Sequence, residues 1–142
     1  MIRVEELVFE DGYILSSNSY CRKALFIAKD LESNKRFKVK TFISVLDSDE
    51  IKMLDAFSEV NIDHKWLNVL DTIPVEVSVE NIKKIQKEIF ENTLTFLFEK
   101  KISINDIENI NVIKAFDWND FDKSIESNDK ILNVIDFSRK DL

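Results

Sequence analysis

The stretch KALFIAKDLESNKRFKVKTFISV, residues 23–45, decides the fold class. Two apolar runs, Ala24–Ala28 and Phe37–Val45, flank a polar break at Glu32–Lys35. In the second run Phe37, Val39, Thr41 and Ile43 alternate with Arg36, Lys38, Lys40 and Phe42. That is the two-residue period of a half-buried strand. The first run is apolar at every position, the pattern of a strand covered on both faces. Together the runs predict a β-hairpin that takes its partners from the rest of the chain.

Working outward, Ile2–Phe9 reads as a strand and Asp11-Gly12 as a type I′ turn leading into Tyr13–Leu15. The phase is broken: Ile2, Val4 and Val8 share one parity, Leu7 and Phe9 the other, as a bulge would produce. Ser16–Ser19 is a polar loop or a frayed strand end. The first 45 residues thus predict a four-stranded antiparallel meander built of two hairpins. From Asp47 to Val60 the spacing predicts a helix, capped at Asp47 or Ser48, with Ile51, Leu54, Ala56 and Phe57 on its apolar face. Asn61–Asp63 breaks it, and Trp66–Leu70 has no clean period.

Ile73–Val79 alternates again, with Pro74 near the strand start or on an edge. Ser78 then caps a long helix, Val79–Lys100, whose stripe holds Ile82, Ile85, Ile89, Phe90, Leu94, Leu97 and Phe98. Lys83, Lys84 and Lys87 face away from that stripe. A rival reading makes Thr93–Phe98 a strand. Ser103 caps a short helix through Ile107 and Ile110. Val112–Phe116 suits a strand, Trp118, Phe121 and Ile125 a helical turn, and Ile131–Phe137 either type. The expected fold is α+β: an N-terminal antiparallel sheet of about four strands, packed by helices from the C-terminal half, in a single domain over residues 1–142.

Composition bounds the chemistry. The chain has 142 residues, 44% hydrophobic and 33% charged, which suits a packed core. There is one glycine, Gly12, so glycine-rich phosphate loops and nucleophile elbows are excluded. One cysteine and one histidine, Cys21 and His64, cannot supply a zinc site of several thiolate or imidazole ligands. A Cys21–His64 dyad remains open, since partners in space need not be close in sequence. The lone cysteine fits a reducing compartment, and MIRVEELVFEDG lacks an apolar core, so a cytoplasmic location is expected.

Net charge is −7, distributed unevenly. Residues 22–40 hold seven bases against Asp30 and Glu32, a local +5, which leaves −12 for the remainder. Such a surface repels nucleic-acid backbones and speeds encounter with basic proteins. A second acidic concentration comprises Asp106, Glu108, Asp117, Asp120, Asp122 and Glu126, around Trp118 as an aromatic anchor. These seven residues are the candidate partner-binding set. The cluster Asp117–Asp122 also offers oxygens to a divalent cation, but it is not an EF-hand: its sixth position is Asp122 and its twelfth is Asn128.

These observations predict a non-enzymatic protein-binding module, with no cofactor and no metal. In size, charge and lack of catalytic motifs the chain resembles the small acidic α+β proteins that bacteria and phages use as immunity proteins or inhibitors. Such a protein would neutralise a basic partner such as a nuclease toxin. Two alternatives stand beside it. One is a carboxylate-dependent enzyme using a cation near Asp117–Asp122. The other is a nucleic-acid module using Lys35–Lys40, where Phe42 is the aromatic that shares the basic face.

Overall fold

The structure is a computed structural model that describes residues 1–14, 19–47, 52–71 and 75–108. Among these residues the fold is mostly sheet, with one α-helix. The strands are β1 (Ile2–Ile14), β2 (Ser19–Asp30), β3 (Arg36–Asp47), β4 (Lys52–Ile62), β5 (Lys65–Asp71) and β6 (Val75–Val77). Helix α1 spans Val79–Phe98, and a single 3₁₀ turn follows at Ile104–Asp106. Strands β1 to β5 form an antiparallel meander in chain order. Strand β6 returns to pair with Lys52–Leu54 of β4, while β5 pairs with Phe57–Ile62.

The predicted β2–β3 hairpin is present, with Phe26 opposite Val39 and Lys23 opposite Phe42. Its turn is closed by Asn34 N–H donating to the Asp30 carbonyl at 2.8 Å, with Asn34 itself at φ 60°. Asparagine tolerates this left-handed conformation better than most residues. The alternation in β3 also holds: Phe37, Val39, Thr41, Ile43 and Val45 face α1, and Arg36, Lys38, Lys40 and Phe42 face away.

Three expectations are corrected. Asp11-Gly12 is no turn: β1 runs through it, with Asp11 opposite Arg22 and Gly12 opposite Cys21. Arg22 Nε donates to Asp11 Oδ1 at 2.8 Å and its terminal nitrogen to Oδ2 at 3.1 Å. This two-point ion pair, with Arg22 buried, holds the extended course of the strand. The first 45 residues therefore give three long strands, not four.

Of residues 47–60, those described, 47 and 52–60, form no helix. They end β3 and supply β4, in which Leu54, Ala56, Ser58 and Val60 point toward α1. Leu54, Phe57 and Val60 also match a helical spacing, so the periodicity alone misleads; the partner edge of β3 decides it. The third correction concerns Ala24–Ala28. Ala24, Phe26 and Ala28 are buried toward α1, but Leu25 on the other face is 38% exposed.

The broken phase of β1 has a local cause. Glu5 lies opposite Ile27 and Val8 opposite Leu25, three steps on β1 against two on β2. Glu6, at φ 54°, takes up the extra residue in a β-bulge. The bulge switches parity, so Leu7 packs with Ile2 and Val4 in the same core.

Helix α1 begins as read. Ser78 Oγ accepts from Asn81 N–H at 3.4 Å, and Glu99 ends it in the left-handed conformation at φ 55°. Thr93–Phe98 is helical. Ile82, Ile89, Phe90 and Leu94 are buried, and Ile85 and Leu97 half-buried. Phe90 stacks on Phe26 with centroids 4.9 Å apart, and Phe98 meets Phe37 edge-on at 5.6 Å. Burial of each such side chain stabilises by roughly 1.5–3 kcal/mol. Under the helix β4 offers small side chains, Ala56 and Ser58, so the helix approaches closely. Beyond the helix the chain returns to β1: Ile107 bridges Ile2 in parallel, and Glu108 N–H donates to the Ile2 carbonyl at 2.8 Å. No described helix is long and apolar enough to cross a membrane.

Candidate functional site

Of the seven residues expected to form the partner surface, Asp106 and Glu108 are described. Asp117, Trp118, Asp120, Asp122 and Glu126 lie outside the described residues, as does the cation reading of Asp117–Asp122. Asp106 closes the 3₁₀ turn, accepting from Ser103 N–H at 2.8 Å and Ser103 Oγ at 3.2 Å. The backbone N–H of Ser103 holds its carboxyl below the ordinary aspartate value. Glu108 accepts from Arg3 Nε at 2.9 Å. Both acids stand at the β1 edge and have local structural partners.

The Cys21–His64 dyad is excluded by the register. Cys21 is buried in β2 opposite Ser44, whereas His64 sits in the β4–β5 turn beyond Asn61, which lies opposite Lys38. From Ser44 to Lys38 is about 20 Å along the strand. Among the described residues no three His, Cys, Asp or Glu side chains gather to hold a metal ion.

The basic stripe of β3 has a different surrounding from the one its sequence suggests. Lys40 is buried, and its ammonium lies 3.7 Å from the ring centroid of Trp66. Lysine on β3 thereby reaches across β4 to an indole on β5. Burial pushes the Lys40 ammonium below the usual lysine range; Glu59, its cross-strand neighbour, opposes that shift, and Lys23 adds to it. Glu59 Oε1 is itself buried without a hydrogen-bond partner among the described residues. Farther along the same face Phe42 and Phe57 stack at 4.9 Å beside Cys21. Lys40 and Phe42 are therefore buried structural members of this face.

The strongest candidate site lies where β5 meets α1. A notch of about 150 Å³ is lined by Leu70, Asp71, Ile85, Glu88, Ile89 and Asn92. Ile85, Ile89, Asn92 and Phe96 follow one another at four, three and four residues, so they form one stripe along this flank. Phe96 is 59% exposed at its end. On the neighbouring strands Leu67 is 45% and Ile62 is 39% exposed, and their register places both on the sheet face that α1 covers. Thr93, hydrogen-bonded to Ser58 at 2.8 Å, sets the height of the helix over the sheet, one turn before Leu97. The flank is acidic as well as apolar: Asp71 and Glu88 line the notch, and Asp63 is next to Ile62.

Sequence reading missed this site. Trp66–Leu70 lacked a period because Val69 is an extra residue: Glu59 lies opposite Asn68 and Ser58 opposite Leu70. One signal was available. Phe96 is a large ring outside the core stripe of a helix whose other phenylalanines, Phe90 and Phe98, lie on it.

Comparison with protein-family models, with curated proteins and with solved structures gives no match to the chain.

Proposed function

We propose that the chain is a non-enzymatic binding protein of the immunity or inhibitor type. It docks a basic protein partner on the flank formed by β5 and α1. The observation that carries this reading is the exposure of Leu67 on β5 and Phe96 on α1, the two elements whose junction forms a notch lined by Asp71 and Glu88. Large apolar side chains grouped at a surface mark binding sites more often than chance exposure does. Aromatic anchors such as Phe96 supply most of the affinity at such sites. The notch acids steer a cationic partner and reject acidic ones. The chain's overall charge of −7 acts in the same direction.

The experiment is affinity capture from the native host with tagged wild-type chain and with the double variant Leu67→Lys/Phe96→Glu. The reading expects one identifiable basic protein, held by the wild type, released at high salt and lost with the double variant. Recapitulation of binding with the purified pair then allows its ionic-strength dependence to be measured. Capture that is insensitive to both substitutions, or a partner that is acidic, overturns the reading.

A further inference from the structure

We infer a second, separate binding site: a groove at the β2–β3 turn end of the sheet that takes a phosphate monoester carried on a planar or apolar body, the class to which mononucleotides belong. The groove has a volume of about 430 Å³ and is lined by Glu6, Ile27, Arg36, Phe37, Lys38, Asn61 and His64. That volume is within the range of small-ligand sites, about 300–1,000 Å³, and larger than an anion by itself needs.

Each lining group has a definable task. Ile27, Lys38 and Asn61 are neighbours across β2, β3 and β4, with Glu5 opposite Ile27 at the β1 end of the row. They make a floor that is cationic in the middle and apolar on one side. Arg36 uses one terminal nitrogen to pair with Glu5. A guanidinium has five N–H donors in a fixed fork, so it can hold that carboxylate and still present donors to a phosphate. Lys38 makes no ion pair among the described residues and is exposed. Lys29, opposite Arg36 in the hairpin register, brings a third cation to this end of an otherwise acidic protein.

The remaining lining suits the ligand's body. Ile27 gives the groove apolar surface; Phe37 borders it at the strand end, with its ring turned to Phe98 on the other face. Asn61 offers an amide and His64 an imidazole, each able to donate and to accept toward the polar edge of a base. His64 is held at the groove by the β4–β5 turn, in which both Asp63 and His64 have positive φ, 52° and 65°. Glu6, the acid in the lining, occupies the bulge of β1 and disfavours a second anionic group on that side. The arrangement therefore selects one phosphate and an uncharged remainder.

The test uses the full chain and three probes: AMP, adenosine and inorganic phosphate. His64 is the only histidine, so its imidazole NMR signals report on the groove without assignment ambiguity. The inference expects saturable movement of those signals with AMP, and at least about tenfold weaker binding of adenosine and of phosphate. Lys38→Glu lowers AMP affinity by about tenfold or more, since it removes a charged contact and adds a repulsive one. Leu67→Lys/Phe96→Glu leaves AMP binding unchanged, which separates this site from the flank of β5 and α1. A His64 spectrum unmoved by AMP, or an affinity unchanged in Lys38→Glu, overturns the site. Phosphate binding as tightly as AMP overturns the role of the apolar wall.

Discussion

Thr93 of the helix and Ser58 of β4 meet as two fully buried hydroxyls, with their oxygens 2.8 Å apart. Thr93 donates its one proton to the Ile89 carbonyl one turn back, 2.5 Å away, and so accepts from the Ser58 hydroxyl. The pair is a polar tie inside an apolar layer, so its members are expected to depend on each other. Thr93→Val should destabilise the protein by about 1–3 kcal/mol, because it leaves the Ser58 hydroxyl buried and unsatisfied. The double variant Ser58→Ala/Thr93→Val should recover part of that loss. Urea denaturation of the four proteins in this cycle measures the coupling, and additive losses would contradict the tie.

Phe90 stacks on Phe26 and belongs to the larger of the two clusters beneath α1. Phe90→Ala removes a large buried ring and leaves a cavity. A loss of about 3–5 kcal/mol is expected, read from the denaturation midpoint. Phe96→Ala, on the exposed flank, should stay within about 0.5 kcal/mol of wild type. Equal losses at the two positions would show that Phe96 is packed after all.

Asp30 ties the β2–β3 turn to the end of α1. Its carboxylate accepts from Glu32 N–H at 3.1 Å and Ser33 Oγ at 3.1 Å, and Lys100 Nζ is 3.2 Å away. Burial alone would raise its pKa, but the Glu32 N–H, Lys100 and Ser33 together hold it below the ordinary 3.8. A carboxyl depressed in the folded state adds stability that is present above the unfolded value, near 3.9, and is lost as pH falls through the folded one. The stability of the wild type should therefore fall more steeply below about pH 4 than that of Asp30→Asn. Parallel acid profiles for the two proteins would refute this.

Lys40 gives a slope of the same sign at alkaline pH. Its proton affinity is lowered, first by burial, so the folded state holds the proton less tightly than the unfolded chain does. Between the folded and unfolded values the unfolded state binds more protons, and stability rises with pH toward 10.5. Lys40→Met should flatten that rise. Urea titrations at several alkaline pH values, wild type against variant, provide the check.

The β4–β5 turn places Asp63 and His64 at φ 52° and 65°, the pattern of a type I′ hairpin, without a glycine. Asp63→Asn/His64→Gly should stabilise the protein by about 0.5–1 kcal/mol, because these residues adopt positive φ with less strain. A lower melting temperature for the double variant would count against the turn assignment.

The contrast between two dipeptides shows how far local signals reach. Asp11-Gly12 is the strongest turn signal in the chain, yet Asp11 is claimed by Arg22 on the neighbouring strand and β1 stays extended. Asp63-His64 carries a weak signal and forms the turn. Likewise Ser78 and the stripe from Ile82 to Phe98 identified α1 correctly, since capping and a helical period are both local properties. Residues 52–62 satisfied a helical and a strand period at once, and the open edge of β3 chose between them.

By itself the sequence determined the β2–β3 hairpin, the long helix and its cap, and the unequal spread of charge. Each depends on neighbours within a few positions, where side-chain parity and backbone preference act directly. Only the tertiary structure decided the third and fourth strand pairings, the parity switch at Glu6 and the burial of Lys40 on Trp66. It alone grouped Leu70 and Asp71 with Ile85 and Glu88, and Arg36 and Lys38 with His64. Those groupings join residues from different elements, and which elements meet is settled by the mutual burial of whole faces, a quantity that no short window of sequence contains.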